Sequence, residues 1–235
     1  MMNSLVLVAA GKGTRIGGSI NKLLMEMHGH PLIWYTFKNI LDSKLLDEIV
    51  IVVKDTEKSQ FQQILSEFKH AIPIKWGQGG NTRVDSVING ISQISSKSEK
   101  LLIHDGARPL VGGDAIDQIL NKLGPAHPAV IFALPCIDTM KEINDEQVKK
   151  TVDRSKLYRA QTPQGVLTDL YKKALLQIKS LENITDDSSI FEAVKIPVTI
   201  IPGRENFFKV TTTEDWNRFS NMIYPSKIPA YIRVG

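Results

Sequence analysis

The sequence of 235 residues predicts an α/β fold, with a mostly parallel, twisted sheet, helices on both faces and one protruding β-hairpin arm. Two observations predict it. Short runs rich in Val, Ile and Leu alternate with stretches that carry apolar residues at helical spacing, which is typical of parallel strands joined by helices. A polar segment past the middle of the chain interrupts this alternation, which indicates a hairpin that stands apart from the sheet.

The elements follow in order along the chain. Four strands are predicted first, at residues 5–9, 48–53, 101–104 and 129–134. Helical periodicity predicts helices around them, at residues 31–43, 57–68, 83–94 and 115–123. Further along, the pattern predicts helices at residues 168–181 and 187–193, a strand at residues 198–201 and a helix that begins at Thr213. We therefore expect one Rossmann-like domain over residues 1–235, with ligands bound at the carboxyl ends of its strands.

The polar segment covers residues 137–161 and lacks helical periodicity. Within it, residues 139–143 and 148–152 flank Asn144-Asp145-Glu146-Gln147, which is typical of a hairpin with two polar faces. Such a hairpin buries little surface on its own body. We therefore predict a dimerisation arm, which pairs with the same arm of a second subunit in a homodimer.

Composition and charge narrow the class of protein. The chain is 42% hydrophobic and 23% charged, which fits a globular protein with a sizeable core. Its net charge of +4 is spread along the sequence rather than concentrated in a basic stripe, so no nucleic-acid partner is expected. Cys136 is the only cysteine, which excludes an intrachain disulfide and a cysteine-built metal site. Because neither a membrane-spanning run nor a secretory signal is evident, we expect a cytoplasmic protein without a membrane partner.

The first predicted strand runs directly into a glycine-rich loop, Gly11-Lys12-Gly13-Thr14-Arg15. Such a loop presents backbone N–H groups and cations to a polyphosphate. A dinucleotide-binding loop needs glycine where Ile16 stands, which argues against a nicotinamide oxidoreductase, and a Walker A loop needs lysine where Ser19 stands. We predict a phosphate-facing loop of a third kind, in which Arg15 and Lys22 supply the positive charge.

Two further segments follow predicted strands and face the same edge of the sheet. In the first, Ser86 could hydrogen-bond a base or ribose and Arg83 could reach a phosphate. The alternative is an ordinary strand-to-helix turn capped by Asn81. In the second, Asp105 could hold Mg²⁺ together with phosphate oxygens, or it could form a structural ion pair with Arg108. These residues alone leave both pairs of interpretations open.

Other polar residues also allow two interpretations. On the arm, Thr139 and Arg154 could hold a phosphate monoester, although a solvated hairpin is the simpler explanation. Thr185 and the two acidic residues after it are typical of a helix N-terminus. Lys209 stands among apolar neighbours, where it either faces an anion or extends its charged end to solvent.

Taken together, seven segments in order resemble the nucleotidyltransferase family, and within it the cytidylyltransferases that use 2-C-methyl-D-erythritol 4-phosphate. The segments are 9–15, 79–80 with Arg83 and 86–87, 104–109, 138–141, 162–164, 185–187 and 209–211. The resemblance covers nearly the whole chain. It implies a Mg²⁺-dependent enzyme of isoprenoid precursor biosynthesis, which transfers a cytidylyl group from CTP to this sugar-alcohol phosphate and releases pyrophosphate.

The resemblance also implies a role for each matching residue. The implied catalytic residues are Arg15, Lys22, Arg154 and Lys209, of which the first two neutralise charge on the α- and β-phosphates. The implied nucleotide-binding residues are Ala9, Ala10, Gly11, Gly13, Gly80, Asn81, Arg83, Ser86, Asp105 and Gly106, with Asp105 as the Mg²⁺ ligand. The implied substrate-binding residues are Thr139, Arg154, Thr185, Lys209 and Arg108. Thr139 and Arg154 are implied to reach the neighbouring subunit's site from the arm.

Two alternatives stand beside this interpretation. A ribitol 5-phosphate cytidylyltransferase would share the loop, the metal and the CTP pocket, although Asp186-Asp187 after Thr185 resembles the methylerythritol enzymes more. A non-catalytic nucleotide-binding domain would have lost charged site residues that are present here. One segment departs from the family pattern, because Asn21-Lys22-Leu23 replaces the usual Pro-Lys-Gln.

Overall fold

The computed structural model describes residues 2–11, 20–178, 180–182 and 184–224, and its strands form one large sheet and two small pairs. The large sheet contains β1 (Met2–Val8), β4 (Glu48–Val53), β5 (Ile74–Gln78), β6 (Ser98–Asp105), β7 (Ala129–Pro135), β10 (Tyr158–Leu167) and β11 (Val198–Pro202). The small antiparallel pairs are β2 (Glu26–Met27) with β3 (His30–Pro31), and β8 (Met140–Asn144) with β9 (Gln147–Val152). The described helices are α1 (Leu32–Ile40), α2 (Lys58–Leu65), α3 (Arg83–Ile91), α4 (Gly113–Lys122), α5 (Thr168–Gln177), α6 (Ser188–Ala193) and α7 (Thr213–Ile223).

The large sheet has the strand order β11-β7-β10-β6-β1-β4-β5. Its neighbouring strands are parallel except at β10, which lies antiparallel between β6 and β7. The chain runs outward from β1 to β4 and β5 and then crosses back to β6 on the other side of β1. The predicted α/β fold is confirmed, and the crossing creates a crevice at the carboxyl ends of β1 and β6.

Helices cover both faces of the sheet. Because successive side chains of a strand point to opposite faces, Leu5 and Leu7 of β1 belong to one apolar cluster and Val6 to another. The first cluster contains residues of α1, α2, α4 and α7, and the second contains residues of α3, α5 and α6. Among the described helices, none has the length and apolar character needed to cross a membrane.

The strand β10 corrects one boundary of the sequence analysis. Within the predicted arm at residues 137–161, the last residues, from Tyr158 on, are the first part of β10 and pair with β7. The hydrophobic pattern did not predict this strand, because the buried part of β10 includes Gln161 and Gln164, at 5% and 1% exposure, and so lacks an apolar run. Their side chains are hydrogen-bonded to the backbone of Arg204 and to Asp186, which makes their burial tolerable.

The hairpin itself forms as predicted. Its two strands pair from Met140 opposite Val152 to Asn144 opposite Gln147. Exposed apolar side chains of the hairpin include Ile143 and Val148, at 54% and 59% exposure. In this single chain, the hairpin thus leaves apolar surface uncovered.

Candidate active site

A cavity of about 570 Å³ lies where the carboxyl ends of β1, β4 and β6 meet the beginning of α3. This is the crevice that the strand order creates. Most of the polar residues singled out from the sequence line it. Its described lining residues are Val8, Ala10, Gly11, Asn21, Lys22, Leu23, Lys54, Gly80, Asn81, Thr82, Arg83, Ser86, Asp105, Gly106, Ala107, Lys209 and Thr211.

Asp105, the last residue of β6, lies in the cavity wall with three cations around its carboxylate. Its Oδ2 lies 2.9 Å from Lys209 Nζ and 3.7 Å from Arg108 Nε, and its Oδ1 lies 3.2 Å from Arg83 Nε. Burial raises the pKa of Asp105, but Lys209, Arg83 and Arg108 together hold that pKa well below its usual range. The carboxylate is therefore ionised at neutral pH.

Arg83, in the first turn of α3, joins Asp105 to a second buried carboxylate. Its Nη2 lies 2.7 Å from Asp187 Oδ2, and Tyr171 donates a 3.0 Å hydrogen bond to Asp187 Oδ1. Burial lowers the pKa of Arg83, but Asp187 and Asp105 raise it above its ordinary value. Burial raises the pKa of Asp187, and Arg83 opposes that rise. The guanidinium is thus held between two carboxylates from different parts of the chain.

His104 lies beneath the cavity and is fully buried. Its Nδ1 is hydrogen-bonded to Thr162 Oγ1 at 3.0 Å, and the same oxygen accepts a 3.1 Å hydrogen bond from the backbone N–H of Asp105. Burial lowers the pKa of His104 to about 3, so the ring is neutral at physiological pH. The histidine therefore joins the end of β6 to β10 as a buried, neutral residue.

Two glycines allow the backbone between β5 and α3 to pack closely. A Cβ on Gly79 would lie 2.4 Å from Ala10 Cβ, and one on Gly80 would lie 2.2 Å from Asp85 Cβ. The N–H of Gly80 donates a 3.0 Å hydrogen bond to Ser86 Oγ. The segment therefore brings backbone and a serine hydroxyl beside the end of β1, as the nucleotide-binding prediction requires.

The cap of α3 is Thr82, and the alternative that placed Asn81 there is wrong. The Thr82 hydroxyl accepts a hydrogen bond from the Asp85 N–H, and the Asp85 carboxylate accepts one from the Thr82 N–H. Asn81 lines the cavity instead. The cap thus fixes the direction in which the chain enters α3.

Lys22 is carried by a 3₁₀ turn, Lys22–Leu24, with Asn21 as its N-cap. Asn21 is buried, and its Oδ1 accepts a 3.1 Å hydrogen bond from the Leu23 N–H. Its Nδ2 donates to the carbonyl oxygen of Ala9 at 3.0 Å and to Glu57 Oε2 at 2.8 Å. The turn is therefore attached to the end of β1 and to the segment after β4.

Lys209 reaches the cavity from the segment before α7. The N–H of Val210 donates a 2.8 Å hydrogen bond to the carbonyl oxygen of Ala107, and Arg108 Nη1 donates a 2.6 Å hydrogen bond to Phe207 O. These two contacts hold the segment against the loop that follows β6. Arg108 packs behind Asp105 and is absent from the described cavity lining.

The structure brings most of the predicted nucleotide-binding residues together. Eight of them line the cavity with Lys22 and Lys209: Ala10, Gly11, Gly80, Asn81, Arg83, Ser86, Asp105 and Gly106. Ala9 is buried beside them and is held through its carbonyl oxygen. Gly13 and Arg15 lie outside the described residues.

Three predicted substrate-binding residues lie elsewhere. Thr139, Arg154 and Thr185 are exposed and do not belong to the described lining of the cavity. Arg154 donates a hydrogen bond to the carbonyl oxygen of Ile137 at the base of the hairpin. The prediction that the arm serves a neighbouring subunit's site is compatible with this placement and is not tested by a single chain.

The residues at or behind the cavity that were not predicted as site residues include Lys54, Asn21 and Asp187. Lys54 lines the cavity, and its position directly after β4 is a signal that could have identified it. Asn21 was noted only as a departure from a family pattern, and Asp187 only as part of a helix N-terminus and of a segment that carries the family resemblance. Their contacts are with residues distant in sequence, so no local pattern indicates them.

The cavity fits a metal ion that arrives with a polyphosphate. Asp105 is the one carboxylate among its described lining residues, and it is ionised. In the described part of the chain, no group of three or more His, Cys, Asp or Glu residues could hold a metal ion. Mg²⁺ is usually bound by one or two carboxylates and by substrate phosphates, so this donor set suffices only with a nucleotide present.

Comparisons with known proteins identify similar sequences and structures. A family model described as 2-C-methyl-D-erythritol 4-phosphate cytidylyltransferase matches residues 3–223. Proteins of that name from Prochlorococcus marinus subsp. pastoris and Nostoc punctiforme are 38% and 35% identical to this chain, over 89% and 90% of it and 94% and 93% of their own lengths. The crystal structure of 4-diphosphocytidyl-2C-methyl-D-erythritol synthase from Anaerococcus prevotii has a TM-score of 0.80 at 29% identity, covering 94% of this chain and 97% of that one. The Francisella tularensis 2-C-methyl-D-erythritol 4-phosphate cytidylyltransferase structure has a TM-score of 0.77 at 25% identity, covering 94% of this chain and 100% of its own.

Proposed function

The chain belongs to the 2-C-methyl-D-erythritol 4-phosphate cytidylyltransferase family, and from this premise we propose how its cavity performs the reaction. The enzyme transfers a cytidylyl group from CTP to 2-C-methyl-D-erythritol 4-phosphate. The products are 4-diphosphocytidyl-2-C-methyl-D-erythritol and pyrophosphate, and the reaction serves isoprenoid precursor biosynthesis.

One observation carries the proposal: a backbone cradle and a set of cations share one cavity. Among its described lining residues, Lys22, Lys54, Arg83 and Lys209 are positive and only Asp105 is negative. Such a wall suits a triphosphate that meets a second phosphate, because the cations offset the repulsion between the two anions.

The chemistry needs no general base. A phosphate oxygen of the acceptor, already an anion, attacks the α-phosphorus of CTP, and the bond from that phosphorus to the bridging oxygen breaks as pyrophosphate leaves. The protein then has to align the two groups and stabilise the charge that builds on the phosphates. We assign this stabilisation of charge to Lys22 and Arg15.

Backbone and hydroxyl groups would hold the nucleoside. Ala10, Gly11 and Gly80 present main chain to the cavity, and Ser86 lies within hydrogen-bond distance of Gly80. Lys209, 2.9 Å from Asp105, is placed to bind the acceptor phosphate. The position of Lys209 is stable without substrate because Asp105 balances its charge.

We propose that Mg²⁺ is required and that Asp105 holds it together with phosphate oxygens of CTP. When bound, the ion would neutralise part of the triphosphate charge. Chelation with EDTA should abolish turnover. As a readout separate from activity, calorimetric titration with CTP should show a Mg²⁺-dependent gain in affinity that Asp105→Asn removes.

The active unit in this proposal is a homodimer in the cytosol. The support is the hairpin β8–β9, whose apolar residues are exposed and whose base carries Thr139 and Arg154. These two residues would complete the acceptor site of the other subunit. The single cysteine places no demand for an oxidising compartment.

The test is pyrophosphate release from CTP and Mg²⁺, with 2-C-methyl-D-erythritol 4-phosphate and ribitol 5-phosphate offered separately. We expect release with the first acceptor and none with the second. Release with ribitol 5-phosphate alone would reassign the acceptor, and release with neither acceptor from a protein that binds CTP would overturn the proposed reaction.

A further inference from the structure

Asn21, at the wall of the cavity, has a buried side-chain amide that is hydrogen-bonded at both its oxygen and its nitrogen. It is 2% exposed, and both ends of its amide are used. The oxygen caps the Lys22–Leu24 turn through the Leu23 N–H, and the nitrogen donates to Ala9 and to Glu57. An amide supplies an acceptor and two donors at once, which neither an aspartate nor a hydrophobic residue does.

The contact with Ala9 joins the two sides of the glycine-rich segment. Ala9 directly follows β1, and Asn21 directly precedes the turn that carries Lys22. The 3.0 Å hydrogen bond therefore attaches the cap of this turn to the end of β1. Leu23, also buried, lies close enough that a Cβ on Gly106 would be 3.0 Å from its Cδ1, so the turn is packed from the β6 side as well.

Glu57 links the same side-chain amide to the segment after β4, which is the second strand beside β1. Its Oε2 accepts from Asn21 Nδ2 at 2.8 Å, and its Oε1 lies 3.0 Å from Lys54 Nζ. Lys54 itself lines the cavity. Glu57 thus contacts, through its two oxygens, the cap of the lysine turn and a second cavity cation.

We propose that Asn21 and Glu57 form a clamp that positions Lys22, so that both are positioning residues for the reaction. The clamp holds the turn against Ala9, whose neighbours form the nucleoside cradle, and so fixes the distance from Lys22 to the phosphates. This inference rests on the proposed function for its kinetic readout, and its binding readout requires only CTP.

The decisive variant is Asn21→Asp, which keeps the cap oxygen and the shape and removes the two donated hydrogen bonds. The new carboxylate would face Glu57, whose other oxygen lies 3.0 Å from Lys54 Nζ, so the two carboxyls would compete for one proton. We expect kcat to fall about 10- to 100-fold at about pH 8, as for other supporting residues around a site. At about pH 6 the loss should shrink, because a protonated carboxyl regains a donor.

Three companions separate positioning from a purely structural role. Glu57→Gln added to Asn21→Asp restores an N–H donor between the same side chains, so it should recover part of kcat and remove the pH dependence. Adding Asn21→Asp to Lys22→Ala should lower kcat little below that of Lys22→Ala alone, because the clamp acts through Lys22. Asn217→Asp, the same change at an exposed position of α7, should leave kcat and CTP affinity unchanged.

The proposal is overturned if Asn21→Asp leaves kcat and CTP affinity unchanged. It is also overturned if the loss is the same at both pH values, is unrelieved by Glu57→Gln and is additive with Lys22→Ala. Glu57→Gln alone keeps an acceptor for the amide and provides a folded variant if Asn21→Asp does not fold. CTP titration without an acceptor distinguishes failure of the clamp from failure of the proposed reaction.

Discussion

The cations that line the cavity are attached to the fold in different ways. Arg83 is fixed by two carboxylates, whereas Lys209 is held by Asp105 alone among its described ion pairs. Lys22 depends on the backbone turn that Asn21 caps. Loss of Arg83 should therefore damage the structure, while loss of Lys22 should damage the chemistry.

Lys22→Ala, and likewise Arg15→Ala, should leave the fold intact and lower kcat. Removing one group that stabilises charge only in the transition state typically costs about 2.7–4 kcal/mol, or about 100- to 1000-fold in rate. Steady-state kinetics with melting curves would show this, with Lys69→Ala at an exposed position as the control. Near-normal turnover of both variants would refute their assigned roles.

Replacing Asp187 should lower the free energy of unfolding. Asp187→Ala leaves the partly buried Arg83 without its shortest ion pair, and breaking such a pair costs about 3–5 kcal/mol. Tyr171→Phe removes only the hydroxyl that donates to Asp187 and should cost about 1–3 kcal/mol. Urea unfolding of the three proteins checks the order, and equal stability of all three would contradict it.

At this scale, the sequence allowed prediction of the residues that belong to local motifs. Gly80, Ser86 and Asp105 belong to segments at the carboxyl ends of strands, and the structure places all three in the cavity lining. The contacts of Asn21 with Glu57 and of Asp187 with Arg83 could not be predicted, because these partners lie 36 and 104 positions away in the chain. A buried polar residue is recognisable only when the fold brings its partner to it.

At the scale of elements, Glu48 links β4 to β1 and β5 at the amino-terminal ends of these strands, opposite the cavity. The carboxylate at the start of β4 accepts hydrogen bonds from Ser4 of β1 at 2.6 Å and from the Ser95 N–H at 2.7 Å. Lys75 of β5 lies 2.9 Å from its second oxygen. Burial by itself would raise the pKa of Glu48. These hydrogen bonds and Lys75 lower the pKa by more than burial raises it, so the net shift is downward.

The lowered pKa gives a pH dependence of known sign. The unfolded chain binds a proton at Glu48 more readily than the folded chain does, so this contribution to stability is present above about pH 4.3 and is lost at lower pH. Glu48→Gln should lower the free energy of unfolding by about 1.5–3 kcal/mol at neutral pH. The difference from the wild type should narrow in acid, and a constant difference in urea unfolding from neutral pH to pH 3 or so would contradict the assignment.

The strands differ in how far the sequence reveals them. β4 is buried at every position and reads as an apolar run, which the sequence analysis identified with the same bounds. β10 buries glutamine and threonine instead, and its burial is made possible by side-chain hydrogen bonds to distant segments. Hydrophobic pattern therefore finds strands whose stability comes from apolar burial and misses those that are satisfied by polar partners.

For the whole molecule, the alternation of strands and helices was enough to predict the layered fold, because parallel strands need helical crossovers of one hand. The position of the arm was also readable, since its polar faces cannot form part of a core. In the proposed homodimer, what the arm contacts depends on the second chain. Its apolar residues and its base, with Thr139 and Arg154, gain a function only if a second subunit lies against them.

A shared site makes a prediction that a self-contained site does not. If Lys22 of one subunit acts with Arg154 of the other, mixed dimers of Lys22→Ala and Arg154→Ala contain one site with both residues intact. An equal mixture, unfolded and refolded together, should therefore regain about one quarter of wild-type activity, because about half of the dimers are mixed and each has one intact site. Light scattering on the same samples should give the dimer mass. Two inactive variants that stay inactive when mixed as dimers would place both residues in one subunit's site, and a fully active monomer would remove the arm from the mechanism.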